Sequence, residues 1–168
     1  MDKRQAIIDQ LPRLRRYARA LAKDASAADD LVQDCVERAL SRLALFRAGT
    51  NMRSWLFTIM HNLHVNAVRR RYRAPDTEPL APGHEARHAQ EATQHSALSA
   101  RDVAGALGKL SDEHRQVLLL VDLEDMSYRE TADILGVPVG TVMSRLARGR
   151  RRLRSLMDEA EPVIRRVK

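Results

Sequence analysis

A chain of 168 residues with 29 Lys and Arg against 22 Asp and Glu has a formal charge of +7, and it carries one cysteine and six aromatic residues. That length suits one ordinary domain or two small ones, each burying only about 60% of its unfolded surface, and leaves no room for a large enzyme core. The lone Cys35 can form no intrachain disulfide, no basic start leads into an apolar run, and no apolar stretch approaches the roughly 20 residues that span a bilayer, so a reduced cytoplasmic protein without membrane insertion is expected.

In chain order, Ile7, Leu11, Leu14, Ala18 and Leu21 recur at spacings of three and four and predict a helix with one apolar face. A second helix is predicted from about Ala27 to Leu45, burying Leu31, Val32, Cys35, Val36, Ala39, Leu40 and Leu43. A loop from Phe46 to Thr50 leads to Asn51, a good N-cap, and to a third helix presenting Leu56, Ile59, Met60, Leu63 and Ala67. From Pro75 to Ser99 the chain holds three of its six prolines and one arginine against four acids. Such a segment lacks the apolar surface to offset ordering entropy and reads as a flexible linker. Its His84, His88 and His95 read as solvated residues, because no Cys or carboxylate nearby completes a zinc spacing.

Beyond it, helices are predicted at about Ala100 to Leu110, at Asp112 to Leu123 behind an N-cap at Ser111, and at Tyr128 to Leu135 behind a Ser127/Glu130 capping box. Gly136 then suits a helix stop, and Pro138 the entry to a last helix ending near Met157. No strand alternation occurs. The expectation is an all-α protein of two small helical domains, an N-terminal bundle over residues 1–73 and a C-terminal helix-turn-helix over 100–168, joined by a flexible linker over 74–99.

Charge is blocked along this framework. Five acids and no base lie between Asp24 and Glu37, and five arginines and no acid between Arg53 and Arg73. Eight acids oppose four bases between Arg101 and Asp133, while six arginines and no acid fill Arg145 to Arg154. Helices that stabilise themselves by surface ion pairs mix the signs at i, i+4, and these do not, so each half is expected to meet one basic and one anionic partner.

In the C-terminal half, Ala132 is small where two helices would approach, Gly136 sits at a tight turn, and Val142 and Leu146 point inward. The same geometry turns Thr141, Ser144, Arg145 and Arg148 outward, suited to base edges and phosphates in a major groove. Arg150, Arg151, Arg152 and Arg154 suit phosphate contact or solvent. In the third helix, Asn62 and Asn66 share a face that Arg69, Arg70 and Arg73 continue. Exposed amides can read an unstacked base while arginines hold the backbone of a single strand. Five of the six aromatics precede residue 73, which fits stacking on such bases, although Trp55 and Phe57 also fit a core.

Three ordered blocks resemble the extracytoplasmic-function group of bacterial RNA polymerase sigma factors, in the sigma-70 family: Asp29-Asp30-Leu-Val-Gln33-Asp34, then Trp55-Leu-Phe-Thr-Ile with Asn62, then Ser127-Tyr-Arg-Glu through Thr141-Val-Met-Ser-Arg-Leu. The resemblance covers about residues 6–73 and 100–157. It implies that Asp29, Asp30, Gln33, Asp34 and Glu37 dock on the clamp helices of the largest polymerase subunit. Phe46, Arg47, Thr50, Asn51, Asn62, Asn66, Arg69 and Arg70 would recognise the −10 element as a melted strand. Thr141, Ser144, Arg145, Arg148 and Arg151 would read the −35 element as duplex, with Asp112 and Glu113 facing the polymerase flap. An anti-sigma factor is a further implied partner. One departure is that Cys35 and Val36 stand where the family often has an aromatic residue.

Disrupting about five base-pair steps at ~1.4 kcal/mol each costs roughly 7 kcal/mol, comparable to the whole ~4–10 kcal/mol by which specific DNA sites exceed non-specific ones. Two small domains therefore need a large partner to open a promoter. A conventional helix-turn-helix regulator acting without polymerase is the alternative, but the first 73 residues show neither glycine-rich loops nor strands for a sensory domain. A metal-dependent nuclease built on Asp29, Asp30 and Asp34 fails because those carboxylates have no histidines beside them. No catalytic residue, metal or cofactor is expected, and Cys35 reads as a small buried apolar residue.

Overall fold

The computed structural model describes residues 2–22, 24–47, 49–73 and 94–160, with side chains from residue 100 to residue 159 in the last segment. Among these residues every regular element is helical. Most of the predicted linker, with His84 and His88, lies outside the described residues. The chain divides into two compact units.

In the N-terminal unit, α1 (Lys3–Leu21), α2 (Ala25–Ser41) and α3 (Met52–Arg73) pack pairwise on one another. Asp2 and Asp24 cap the first two, accepting from the amides of Arg4 at 2.9 Å and Ala27 at 2.8 Å. Asn51 accepts from the Arg53 amide at 3.0 Å, the predicted cap of α3. Helix α1 continues through Pro12, whose ring removes one backbone bond, because the buried stripe of Ile7, Leu14, Tyr17, Ala18 and Leu21 runs past it on the opposite face.

The core adds Ala28, Val32, Cys35 and Ala39 of α2 and Leu56, Phe57, Ile59 and Met60 of α3. Tyr17 and Phe57 meet edge to face with centroids 5.0 Å apart. Helix α2 is shorter than predicted. It stops at Ser41, and a separate 3-10 turn follows over Leu43–Leu45. Only three of its seven expected core positions are fully buried; Leu31, Val36 and Leu43 are half-buried and Leu40 is 46% exposed. Small Ala28 takes an unexpected inward position alongside Ala39, and a stripe that includes alanines lies closer to its neighbours than one of leucines would.

The C-terminal unit holds α4 (Gln94–Gly108), α5 (Asp112–Leu118), the start of α6 (Tyr128–Leu135) and α7 (Val139–Ala160), with α7 packed on α4 and α5. Helix α4 starts six residues before the predicted Ala100, inside the segment read as linker. The helix predicted to reach Leu123 changes pitch after Leu118 into a wide π-type turn over Leu119–Leu123, where the Glu124 amide bonds the Leu119 carbonyl at 3.0 Å. The capping box is present in full: the Ser127 amide donates to Glu130 Oε2 at 2.9 Å and the Glu130 amide to Ser127 Oγ at 3.2 Å. Gly136 has φ 64°, and the Val137 amide closes back to the Ala132 carbonyl at 3.1 Å, the left-handed stop predicted for that glycine.

Two features of this unit carried no recognised sequence signal. The Arg115 side chain, almost buried, donates to the carbonyls of Leu107 at 2.8 Å, Gly108 at 3.1 Å and Leu110 at 2.9 Å, and so caps the C-terminal end of α4. Gly149 sits where α7 crosses α5. A Cβ there would stand 3.2 Å from Leu118 Cδ1 and 3.3 Å from His114 Cβ, closer than side chains ordinarily tolerate. The glycine inside the arginine-rich run thus marks a close approach of α7 to α5.

Candidate functional site

On α2, Asp29, Asp30, Gln33, Asp34 and Glu37 are all exposed. At 100° per residue they fall within about 140° of the helix circumference, opposite the buried Ala28, Val32, Cys35 and Ala39. Gln33 donates to Glu37 at 3.1 Å, and Asp29, Asp30 and Asp34 make no ion pair with another described residue. The result is an open acidic face.

The predicted single-strand face on α3 is equally continuous. Asn62, Asn66, Arg69 and Arg70 are exposed on one side of the helix, and Arg73 extends them. The loop before α3 is more differentiated than predicted. Arg47, Thr50 and Asn51 are exposed, but Phe46 is only 9% exposed, its ring tilted against Trp55 at 5.1 Å and its carbonyl receiving Lys3 Nζ at 3.0 Å. Phe46 is therefore an anchor of the loop rather than an exposed contact. The excess of aromatics in this half has the same explanation. Tyr17, Phe57, Phe46 and Trp55 pair with one another, and only Tyr72, 87% exposed, is fully open to solvent.

Beneath this loop lies a cavity of about 490 Å³, lined by Lys3 and Gln10 of α1 and by Thr50, Asn51 and Arg53 among others. Gln10 Oε1 and Arg53 Nε and Nη2 are buried with no hydrogen-bond partner among the described residues. Both residues also line the cavity, so an unmet carbonyl acceptor and unmet guanidinium donors lie buried in its wall. Sequence reading missed Gln10 and Arg53, since they lie 43 positions apart and neither belongs to a motif.

On α7, Ser144, Arg148 and Arg151 are exposed, Thr141 is half-buried, and Val142 and Leu146 are in the core as predicted. Ser144 Oγ donates to the Thr141 carbonyl at 3.1 Å and accepts from Arg148 at 3.3 Å. Arg145 differs from its neighbours: its Nη2 lies 3.1 Å from Glu113 Oε1, and its side chain is only 21% exposed. Arg150, expected in solvent or on phosphate, instead forks onto Asp122 of the π-type turn, with one bond at 3.1 Å. That bond and the adjacent charge raise its pKa further above the ordinary arginine value. Met143, 53% exposed beside Ser144, is an apolar member of this face that the sequence reading omitted.

Cys35 is buried and its Sγ lies 3.5 Å from the Leu56 carbonyl; burial pushes the thiol pKa up to about 12. A thiol held neutral is unreactive, in keeping with its reading as a core residue. Among the described residues no group of His, Cys, Asp and Glu could hold a metal ion, and no helix is long and apolar enough to cross a membrane.

Residues 7–61 match the model of the Sigma2 domain of PhyR, and residues 100–153 match that of Sigma-70, region 4. The ECF RNA polymerase sigma factor EcfG of Rhodopseudomonas palustris is 36% identical over 160 residues, covering 94% of this chain and 87% of the relative. The sigma factor RpoE of Bartonella quintana, solved with the anti-sigma factor NepR, superposes with a TM-score of 0.74 at 32% identity, over 94% of this chain and 97% of the other. CnrH, solved with the cytosolic domain of CnrY, gives 0.68 at 28% identity over 94% and 88%. The chain belongs to the extracytoplasmic-function group of the sigma-70 family of bacterial RNA polymerase sigma factors.

Proposed function

We propose that the chain guides core RNA polymerase to promoters through four separate surfaces, and that it acts in the cytoplasm without catalysing a reaction of its own. The observation that carries this reading is the segregation of charge in the N-terminal unit. An unpaired acidic face on α2 and an amide-and-arginine face on α3 suit two partners of opposite sign at once.

In this reading Asp29, Asp30, Gln33, Asp34 and Glu37 dock on the clamp helices of the largest polymerase subunit. Asn62, Asn66, Arg69 and Arg70 run along the melted −10 strand. The cavity under the loop accepts one unstacked base from that strand, with Thr50 and Asn51 at its mouth, the open groups of Gln10 and Arg53 inside, and Arg47 nearby on phosphate. Phe46 holds the loop from below. Thr141, Ser144, Arg145, Arg148 and Arg151 meet the −35 duplex in its major groove, and the acidic start of α5 faces the polymerase flap. Residues 1–73 and 100–168 form the two functional domains and 74–99 the connection between them. RpoE and CnrH, both solved bound to an anti-sigma factor or a corresponding partner, support control of this chain by an anti-sigma protein as well.

Run-off transcription with purified chain, core polymerase and a genomic fragment library tests the reading. Promoter-selective transcripts that require both proteins are expected. Tight, sequence-specific binding of a promoter by the chain alone, with no effect of core polymerase on selectivity, would overturn it.

A further inference from the structure

Glu113 stands in the first turn of α5, and its carboxylate is the ion-pair partner of Arg145 at 3.1 Å. The two side chains differ in setting: Glu113 is 65% exposed and Arg145 21%. An ion pair this open to solvent adds little to the fold, and α5 and α7 are already joined through the close approach at Gly149. What the pair changes is the freedom of the arginine. Arg148 and Arg151 remain exposed, and a long side chain fixed only on binding loses its rotamer entropy at that moment, whereas one already fixed does not. A single carboxylate oxygen engages one terminal nitrogen of Arg145, and a guanidinium has five N–H donors, so several remain for a guanine edge or a phosphate.

We propose that Glu113 is a positioning residue for −35 recognition. It holds the Arg145 guanidinium at the rim of α7 in the orientation that meets the duplex, and it sets selectivity without touching DNA. The inference rests on the assignment of Arg145 to the −35 element.

The test uses holoenzyme carrying wild-type chain, Glu113→Ala, Glu113→Gln, Arg145→Ala or the double Glu113→Ala/Arg145→Ala variant. Run-off rates are measured on templates with each −35 base pair changed in turn, normalised to the same enzyme on the unaltered promoter. Normalisation removes any uniform loss from weaker polymerase docking. Arg145→Ala is expected to flatten the profile at one or two base pairs, and Glu113→Ala to flatten it at the same positions with about a fivefold loss of discrimination. Glu113→Gln should retain part of the discrimination, and the double variant should match Arg145→Ala alone. Thermal melts of Glu113→Ala should follow wild type, since the residue is exposed. An altered Arg145→Ala profile with an unaltered Glu113→Ala profile overturns the positioning role alone. An unaltered Arg145→Ala profile overturns the assignment of Arg145 itself, and the inference with it.

Discussion

The two units treat similar charge in opposite ways. In the N-terminal unit the acids of α2 and the arginines at the end of α3 project to solvent from different helices, so nearly the whole of each block is available to a partner. In the C-terminal unit two acids are taken up by α7 itself, Glu113 by Arg145 and Asp122 by Arg150, while Arg115 is buried as a helix cap. A net charge summed along a segment therefore measures a surface well only where the helices bearing the two signs do not face each other. On the proposed function, the difference also separates two kinds of interface: one open and adaptable, the other preorganised by internal pairs before its ligand arrives.

The internal wiring of the C-terminal unit gives the largest expected effects. Arg115→Ala removes three charge-assisted bonds and strands carbonyls at the end of α4, and should destabilise that unit by about 3 kcal/mol. Hydrogen exchange on the full chain should report faster opening in α4–α7 with α1–α3 unchanged, and uniform loss across both units would break the contrast. Gly149→Leu should cost about 2–3 kcal/mol by forcing α7 away from α5, read in the same measurement. Asp34→Arg probes the opposite unit. It should weaken core polymerase binding roughly tenfold while leaving the circular dichroism melt in place, because the residue is exposed and makes no ion pair with another described residue. Unchanged affinity would show that the open acidic face is not the docking surface.

The smallest effect is expected at Cys35. Replacement by Ala should cost about 1 kcal/mol through a small cavity and leave transcription insensitive to oxidant. Because burial raises the folded thiol to about 12 from an ordinary value of 9.0, the stability owed to keeping it neutral is present below pH 9 and is lost as pH climbs toward 12. Alkylation at pH 8 should accordingly be slow in the native chain and fast in denaturant.

Local physics made much of the fold legible. Helix periodicity found every helix of the described residues, and short-range chemistry found its punctuation: Asn51, Ser111, the Ser127/Glu130 box and Gly136 all act within four residues of themselves. Boundaries failed where local preference was indifferent. Nothing in Leu119–Leu123 distinguishes a π-type turn from a continued α-helix, and the widening carries Asp122 to within reach of Arg150. The faces bearing Asp29 to Glu37 and Asn62 to Arg70 were likewise readable, since helix geometry alone sets which residues stand together.

The sequence by itself determined the helices, their caps, the blocks of charge and the family. Only tertiary structure decided which charges are open. Arg145 meets Glu113 across 32 positions, and Arg150 meets Asp122 across 28, because α7 passes close to α5 where Gly149 faces His114 and Leu118. Phe46 and Trp55 were turned inward, and Gln10 and Arg53 were brought to one cavity, by the same kind of long-range packing. Pairing between distant residues depends on how helices cross, and no periodicity along a single helix encodes that.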